Sequence, residues 1–366
     1  MPVAVEAPAE VVAQLYRDAE LRVLRRVVEF LNDGIGAPDW AQTKLARLQS
    51  VRDVVLRELA SVDVRAADAL ADEIAAAYRR GGAEAVADLR GVLAGQVPVI
   101  SQQTFAVRAL ADDVVNGVKS TRLPVLGFVD GVVRESVARA VAGGLTSAAA
   151  RRAAGQEALD DLLRGGLQGV RLPSGRKMSM VDYVSMATRT GIGNAQREGH
   201  TRTQLDAGLN LIAVQPGPRA CDICDKWARR ILSLDGSSGR LEARDWRSGG
   251  TITVSVDATI EEAIADGLEH PNCRCSRRTY VPGVTDPNVL ERPPWDADAY
   301  EAQQRQRQIE RQIRNWKTRE ATAMTPELEK RARDRVRAYQ KQQRDLVSAN
   351  DFLKRQSARE QIGRVL

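Results

Sequence analysis

All four cysteines of this 366-residue chain fall between residues 221 and 275: Cys221 and Cys224 as a Cys-x-x-Cys pair, Cys273 and Cys275 as a Cys-x-Cys pair, with His270 just ahead of the second. No other feature constrains the fold as much. Thiolate and imidazole donors at these spacings grip one metal ion from two tight loops, each sulfur about 2.3 Å from a zinc. The loops must then meet in space, although about fifty residues separate them in the chain. A structural zinc takes four ligands, and five donors are present. Cys221, Cys224 and Cys273 are the expected ligands, with the fourth place contested between His270 and Cys275. A shell of thiolates leaves no open position for water, so such an ion staples loops and activates no nucleophile. Two other readings stay open. One is a metal-free cluster, reduced or disulfide-paired. The other is a catalytic zinc, which needs an open position and a nearby general base.

Enzyme motifs are otherwise missing. There is no Gly-x-Ser-x-Gly elbow, no Walker loop and no dinucleotide fingerprint. His270-Pro271-Asn272 faintly resembles a His-Asn metal-dependent nuclease, but such sites use several histidines and only His200 exists besides. His200 lies inside a long helical stretch and is expected to be a partly exposed polar residue. The Cys-x-x-Cys pair lacks the βαβ surroundings of a thioredoxin-like redox motif. No catalytic residue is assigned, and the chain is expected not to be an enzyme.

The rest of the sequence reads as mainly α with a small α+β domain. Residues 1–165 form an N-terminal helical bundle. Helices are expected over Pro8–Asn32, from Pro38-Asp39 through Ser61, from Val64 to Arg80 with a stop at Gly81-Gly82, then to Leu93, and over Ser101–Val118, Pro124–Val141 and Thr146–Leu163. Their apolar residues recur at helical spacing. Residues 166–283 form the metal-stapled α+β domain. It holds a hairpin about Pro173-Ser174-Gly175, a long helix from Ser179 to Leu205, strands at Leu209–Gln215, Arg230–Leu234 and Thr251–Val256, a short helix at Thr259–Leu268, and a strand ending near Tyr280. Residues 284–300, with Pro287, Pro293 and Pro294, read as a linker. Residues 301–366 form charged helices over Tyr300–Arg319 and Pro326–Val347, with a third over Phe352–Leu366. Apolar residues there are too sparse for a self-sufficient core.

Charge is unevenly placed. The net charge is +6, but residues 301–366 carry 17 Lys and Arg against 9 Asp and Glu, and the remainder carries 37 against 39. The basic excess therefore belongs to the C-terminal helices alone. Such a segment meets nucleic acid or an acidic protein face, or is simply a solvated surface, and aromatic interleaving is not evident in the sequence. Arg311, Arg314, Lys317, Arg331 and Arg335 are the expected contact residues. No apolar run approaches the roughly 18–20 residues that span a bilayer. The start, MPVAVEAPAE, lacks the basic-then-apolar order of a signal peptide. Membrane and secreted classes are thereby set aside.

Several separate runs carry a resemblance. They are Met180-Val181-Asp182-Tyr183 through Ala187-Thr188-Arg189-Thr190, then Gly199-His200, Gly208-Leu209-Asn210-Leu211, the Cys221/Cys224 pair with Trp227, and His270-Pro271-Asn272-Cys273-Arg274-Cys275 followed by Val281-Pro282-Gly283. Together they resemble the phage minor capsid protein 2 family, related to the phage Mu F-like head-morphogenesis proteins. The tail runs Gln306–Lys317, Val336–Gln340 and Phe352–Gln356 are similar to that family's charged C-terminal helices. The resemblance covers about residues 165–366. It implies a low-copy structural protein of a tailed-phage head, made in the bacterial cytoplasm and assembled near the portal vertex. The N-terminal helices would dock on portal, major capsid protein or scaffold, and the tail would meet packaged DNA or an acidic protein face. In the family the second half of the cluster often ends Cys-Arg-His, which raises Cys275 as a ligand. Arg189 and Thr190 recur there too. Arg189 is expected to be a buried structural arginine pairing a carboxylate or carbonyls. A head-carried enzyme, either a zinc-dependent nuclease or an ADP-ribosyltransferase-like protein, is the alternative.

Overall fold

A computed structural model of the chain describes residues 6–90, 104–164, 170–171, 175, 177–217, 220–286 and 295–363. It is mainly α. The chain parts into two compact units, each assembled from three stretches: a helical unit of Glu10–Ala66, Val115–Ser185 and Glu301–Leu366, and a sheet unit of Met1–Ala9, Ala67–Val114 and Met186–Tyr300. This interleaving departs from the four consecutive segments that composition suggests.

The N-terminal stretch holds α1 (Glu6–Asn32), α2 (Trp40–Ala46), α3 (Leu48–Leu89), α4 (Thr104–Lys119), α5 (Arg122–Ala142) and α6 (Ala148–Arg164). Three expected helices merge in α3, which runs through Ser61 and through Gly81-Gly82 without a stop. Gly81 is there for contact. A Cβ on Gly81 would lie 1.8 Å from the backbone oxygen of Gln196, and one on Gly199 would lie 2.0 Å from that of Tyr78. Each glycine lets the partner backbone approach, at the modest helix-propensity cost of about 1 kcal/mol. Residues 91–93 of the expected continuation lie outside the described residues.

In the helical unit the turn between α1 and α2 is fixed by Trp40, whose Nε1 donates to the Leu31 carbonyl at 2.9 Å, and by buried Arg151, which donates to the Ile35 and Ala37 carbonyls at 2.8 and 2.6 Å. Buried Asp63 accepts from Tyr16 and from Arg122, joining α1, α3 and α5. The short strands β1 (Val170–Arg171) and β2 (Lys177–Met178) pair antiparallel; Pro173 and Ser174 of the expected hairpin turn lie outside the described residues. Two charged helices complete the unit, α10 (Ala297–Ala321), of which residues 301–321 belong here, and α11 (Pro326–Ser348). They do build a small core, with Ile309, Ile313 and Val336 buried and Trp316, Tyr339 and Leu346 packed against them. The third tail helix is absent: residues 352–363 hold a single 3-10 turn, Ser357–Glu360. Within it only Leu353 and Glu360 are buried, too little to stabilise a helix of that length.

The sheet unit is organised by α7 (Met180–Asp206) from residue 186 onward and a four-stranded sheet. Its strands are β3 (Leu211–Gln215), β4 (Ile231–Ser233), β7 (Ala258–Thr259) and β8 (Ser276–Thr279), in the order β7-β4-β3-β8. Strand β3 is antiparallel to β4 and β8, while β4 and β7 run parallel. A separate antiparallel hairpin joins β5 (Gly239–Arg244), which sequence alone did not single out, to β6 (Thr251–Val256). Residues of β5 alternate between half-buried and exposed, a weak signal for a strand with little apolar content. Two short helices lie between strands, α8 (Asp222–Lys226) and α9 (Ile260–Ala265). A reciprocal capping box of Thr259 and Glu262 starts α9. Pro287, Pro293 and Pro294 of the expected linker are outside the described residues.

Candidate metal centre

The cysteines sit inside the core of the sheet unit. Cys224, Cys273 and Cys275 are buried together with Ile212, Val214, Trp227, Leu232, Ile260 and Leu268, and Cys221 packs against this cluster half-buried. Cys221 caps the N-terminus of α8 and Cys224 lies in its first turn. Trp227, which caps the C-terminus of α8, donates its Nε1 to Asp266 at the end of α9 at 2.8 Å. That bond ties the first thiol loop to the segment leading into the second.

The donors converge in two triads that share one sulfur. Cys221, Cys224 and His270 form the first, Cys224, Cys273 and Cys275 the second, and within each all ligand atoms lie within 4.8 Å of one another. His270 Nε2 stands 3.1 Å from Cys221 Sγ and 3.6 Å from Cys224 Sγ, and Cys224 Sγ stands 3.5 Å from Cys273 Sγ. Donors bound tetrahedrally at about 2.3 Å lie about 3.7 Å apart along the tetrahedron's edges. The spacing within each triad thus suits a small cation. None of the four cysteines is in a disulfide. The other ring nitrogen of His270, Nδ1, faces the Pro271 carbonyl at 2.9 Å. With the proton on Nδ1, the Nε2 lone pair points at the sulfurs, as a ligating imidazole requires.

Electrostatics press the same way. Hydrogen bonds with Cys224 and then His270 pull the Cys221 thiol down to about 4 in spite of its burial. Cys273 is likewise pulled far down by Cys224 and Cys275. Cys224 moves steeply up because Cys221, Cys273 and Cys275 all draw on its proton. Cys275 is pushed up to about 12, its hydrogen bond with Cys224 being outweighed by Cys273 and burial. The Cys221 thiolate raises His270 to about 9 against the cost of burial. Sulfurs packed this closely cannot all be charged side by side without a cation. A dication among them would let each shed its proton.

Helix α7 holds the second loop at two points. Glu269 and Asn272, on either side of His270-Pro271, both have positive φ, at 60° and 67°. Such backbone costs about 1 kcal/mol or more outside glycine and persists only where neighbours over-determine it. Arg189 Nε donates to Asn272 Oδ1 at 2.9 Å, and the Asn272 backbone N–H donates to Thr190 Oγ1 at 3.1 Å. Arg189 is half-buried, not buried, and a side-chain amide is among its acceptors. On the other side Arg197, 3% exposed, pairs with Glu269 at 3.2 Å and donates to the Cys275 carbonyl at 3.1 Å. Arg277 binds the same carboxylate with two bonds of 2.9 Å. Sequence reasoning missed Arg197, Glu269 and Arg277. The signal available was Glu269 and Arg277 beside the second cysteine pair in a chain where charge is everywhere, and Arg197, far off in the sequence, gave none.

His200 corrects an expectation: it is buried, 2% exposed, and its Nε2 faces Asp88 Oδ2 at 3.4 Å. Burial alone would push the Asp88 carboxyl up, but His200 and the Thr279 backbone N–H together hold it below the usual range. This pair joins α7 to α3, the Thr279 bond joins α3 to β8, and neither touches the cluster.

The family model for phage minor capsid protein 2 matches residues 2–348, nearly the whole chain. The chain belongs to that family. A curated relative, described as a structural protein of Lactococcus phage mv4, is 39% identical over 101 residues, covering 26% of this chain and 80% of that protein. No solved structure matches. This family member is accordingly a structural protein of a bacteriophage capsid, and its place is in the virion. No described helix is long and apolar enough to cross a membrane.

The five tail residues expected to contact a partner separate in this structure. Arg314 turns inward to Asp182 at 3.0 Å and to the Arg359 carbonyl at 2.6 Å. Lys317 reaches Gln361 at 3.1 Å, and its burial lowers its pKa. Arg311, Arg331 and Arg335 are exposed. Aromatic residues do interleave here, because Trp316 carries Arg319 at 4.8 Å and Arg335 at 5.8 Å from its ring centre.

Proposed function

We infer that this capsid protein is assembled near the portal vertex, inside or at the head. One zinc ion staples its two cysteine loops there. Four of Cys221, Cys224, His270, Cys273 and Cys275 hold the ion, which supplies cross-linking and no chemistry. Portal protein, with major capsid protein or scaffold, is the docking partner, and the basic C-terminal helices face packaged DNA.

The observation that carries the metal reading is the convergence of five donors, three of them buried, on two loops, the second of which α7 pins from two sides. A thiolate-rich shell closes around zinc and leaves no site for an activated water, which disfavours the nuclease and transferase alternative. Metal analysis of the protein purified without a histidine tag tests the staple, with thiol titration before and after chelation. About one zinc per chain, with thiols unmasked on its removal, is expected; two disulfides and no metal would refute it. Cross-linking in purified particles tests location, and adducts with portal protein are the expected product.

A further inference from the structure

We propose that the outward face of α11 is a binding stripe for the phosphate backbone of duplex DNA, formed by Lys330, Arg337, Lys341 and Arg344. The inference rests on the reading of this chain as a protein of the phage head and names the surface and the form of nucleic acid.

The helix is held in one rotational phase. Thr325 caps it, its Oγ1 accepting from the Leu328 N–H at 3.4 Å, and Pro326 occupies the first turn. Ala332, Val336 and Gln343 are buried on its inner side. With 100° per residue, the four cations then fall within about 60° of the circumference and span about 21 Å of axis. All four are exposed. Arg337 has Asp334 at 3.9 Å, a loose contact, and Asp334, Asp345 and Glu327 flank the stripe on one side only. Arg314 and Arg319 on α10 are instead committed to Asp182 and Asp160, so the fold sends those two charges inward and leaves this row outward.

Duplex DNA carries one charge per about 1.7 Å of axis, so a stripe of this length faces about a dozen phosphates and needs no apolar anchor. A protein partner does need one, since interfaces draw their affinity from buried aromatic and aliphatic side chains. The large apolar side chains left exposed in the described residues include none between Trp295 and Phe352. A single strand needs stacking platforms, and here Trp316 and Tyr339 pack against Ile309, Ile313 and Val336, away from this row.

Fluorescence anisotropy of the full chain with a 30-base-pair duplex tests the proposal, measured from 50 to 300 mM salt. The wild type is expected to bind with a steep salt dependence. Changing the four residues together to glutamine, which keeps helix propensity, should weaken binding more than tenfold and flatten the log–log salt slope by about 3.6. The pair Arg65→Gln and Arg79→Gln, exposed elsewhere, should leave both unchanged. Matching melting curves exclude unfolding. Wild-type protein that ignores duplex DNA, a glutamine variant that binds like wild type, or a preference for polyglutamate over duplex would each overturn the proposal. The head reading stands or falls separately, on whether the protein is found in purified particles.

Discussion

The thiol loops of the sheet unit and the α10–α11 hairpin of the helical unit both concentrate polar chemistry, and they handle it in opposite ways. At the second cysteine loop the bracing charges are matched and largely out of solvent: Arg197 is 3% exposed, and Glu269 and Arg277 are each 11% exposed. Along α11 the cations stand in water, and pairs such as Arg333 with Glu329 lie on the surface. Buried charges fix geometry because separating them leaves one uncompensated in a medium of low dielectric. Exposed charges fix little and remain free to meet a partner. The first region is built to hold a shape and the second to offer a field.

The sharpest way to break this comparison is at Cys224, the sulfur common to both triads. Cys224→Ser should abolish zinc binding and with it folding free energy on the order of 10 kcal/mol. Cys221→Ser and Cys275→Ser, each in one triad, should retain measurable zinc. Metal content and melting with and without chelator read the difference, and equal losses at all three positions would refute the shared-vertex geometry. Next in size is Arg197→Ala, expected to cost about 3 kcal/mol in denaturant unfolding because Glu269 loses one of its two cations. The matched change in the hairpin, Arg333→Ala, should leave the melting temperature where it was. A large effect there would erase the contrast. Gly81→Ala comes third, with about 1–3 kcal/mol from forcing α3 off the Gln196 carbonyl. Smallest is Asn272→Ala, which removes the amide that Arg189 holds. It should weaken zinc about tenfold in a chelator competition with little change in the melting of the zinc-saturated protein.

How far these features could be read from the residues differs in the same way. Helices α1, α5, α7 and α11 follow from apolar spacing and caps, and their ends fall within a few residues of the expected ones. The grouping of Cys221, Cys224, His270, Cys273 and Cys275 was also legible, because cysteine and histidine carry their donor chemistry themselves and their spacing marks the two loops that meet. Gly81 misled because glycine stops one helix and admits a close neighbour to another, and only the neighbour, Gln196, tells the two apart. His200 misled for the same reason, since its partner Asp88 lies far away in the chain. The tail arginines look alike in sequence, yet Arg314 meets Asp182 while Arg331 stays in solvent.

What the sequence determined by itself is what acts over a few residues: periodicity, caps, the identity of the soft donors, and the basic excess confined to residues 301–366. What only the tertiary structure decided is every property that needs a second surface. It made Cys224 the common vertex, set α7 as the brace of the His270 loop, and sorted the cations of the tail into inward and outward rows. The physical reason is range. Backbone preference and ligand chemistry are carried within a side chain and its near neighbours, whereas burial, charge compensation and close approach belong to pairs that only folding brings together.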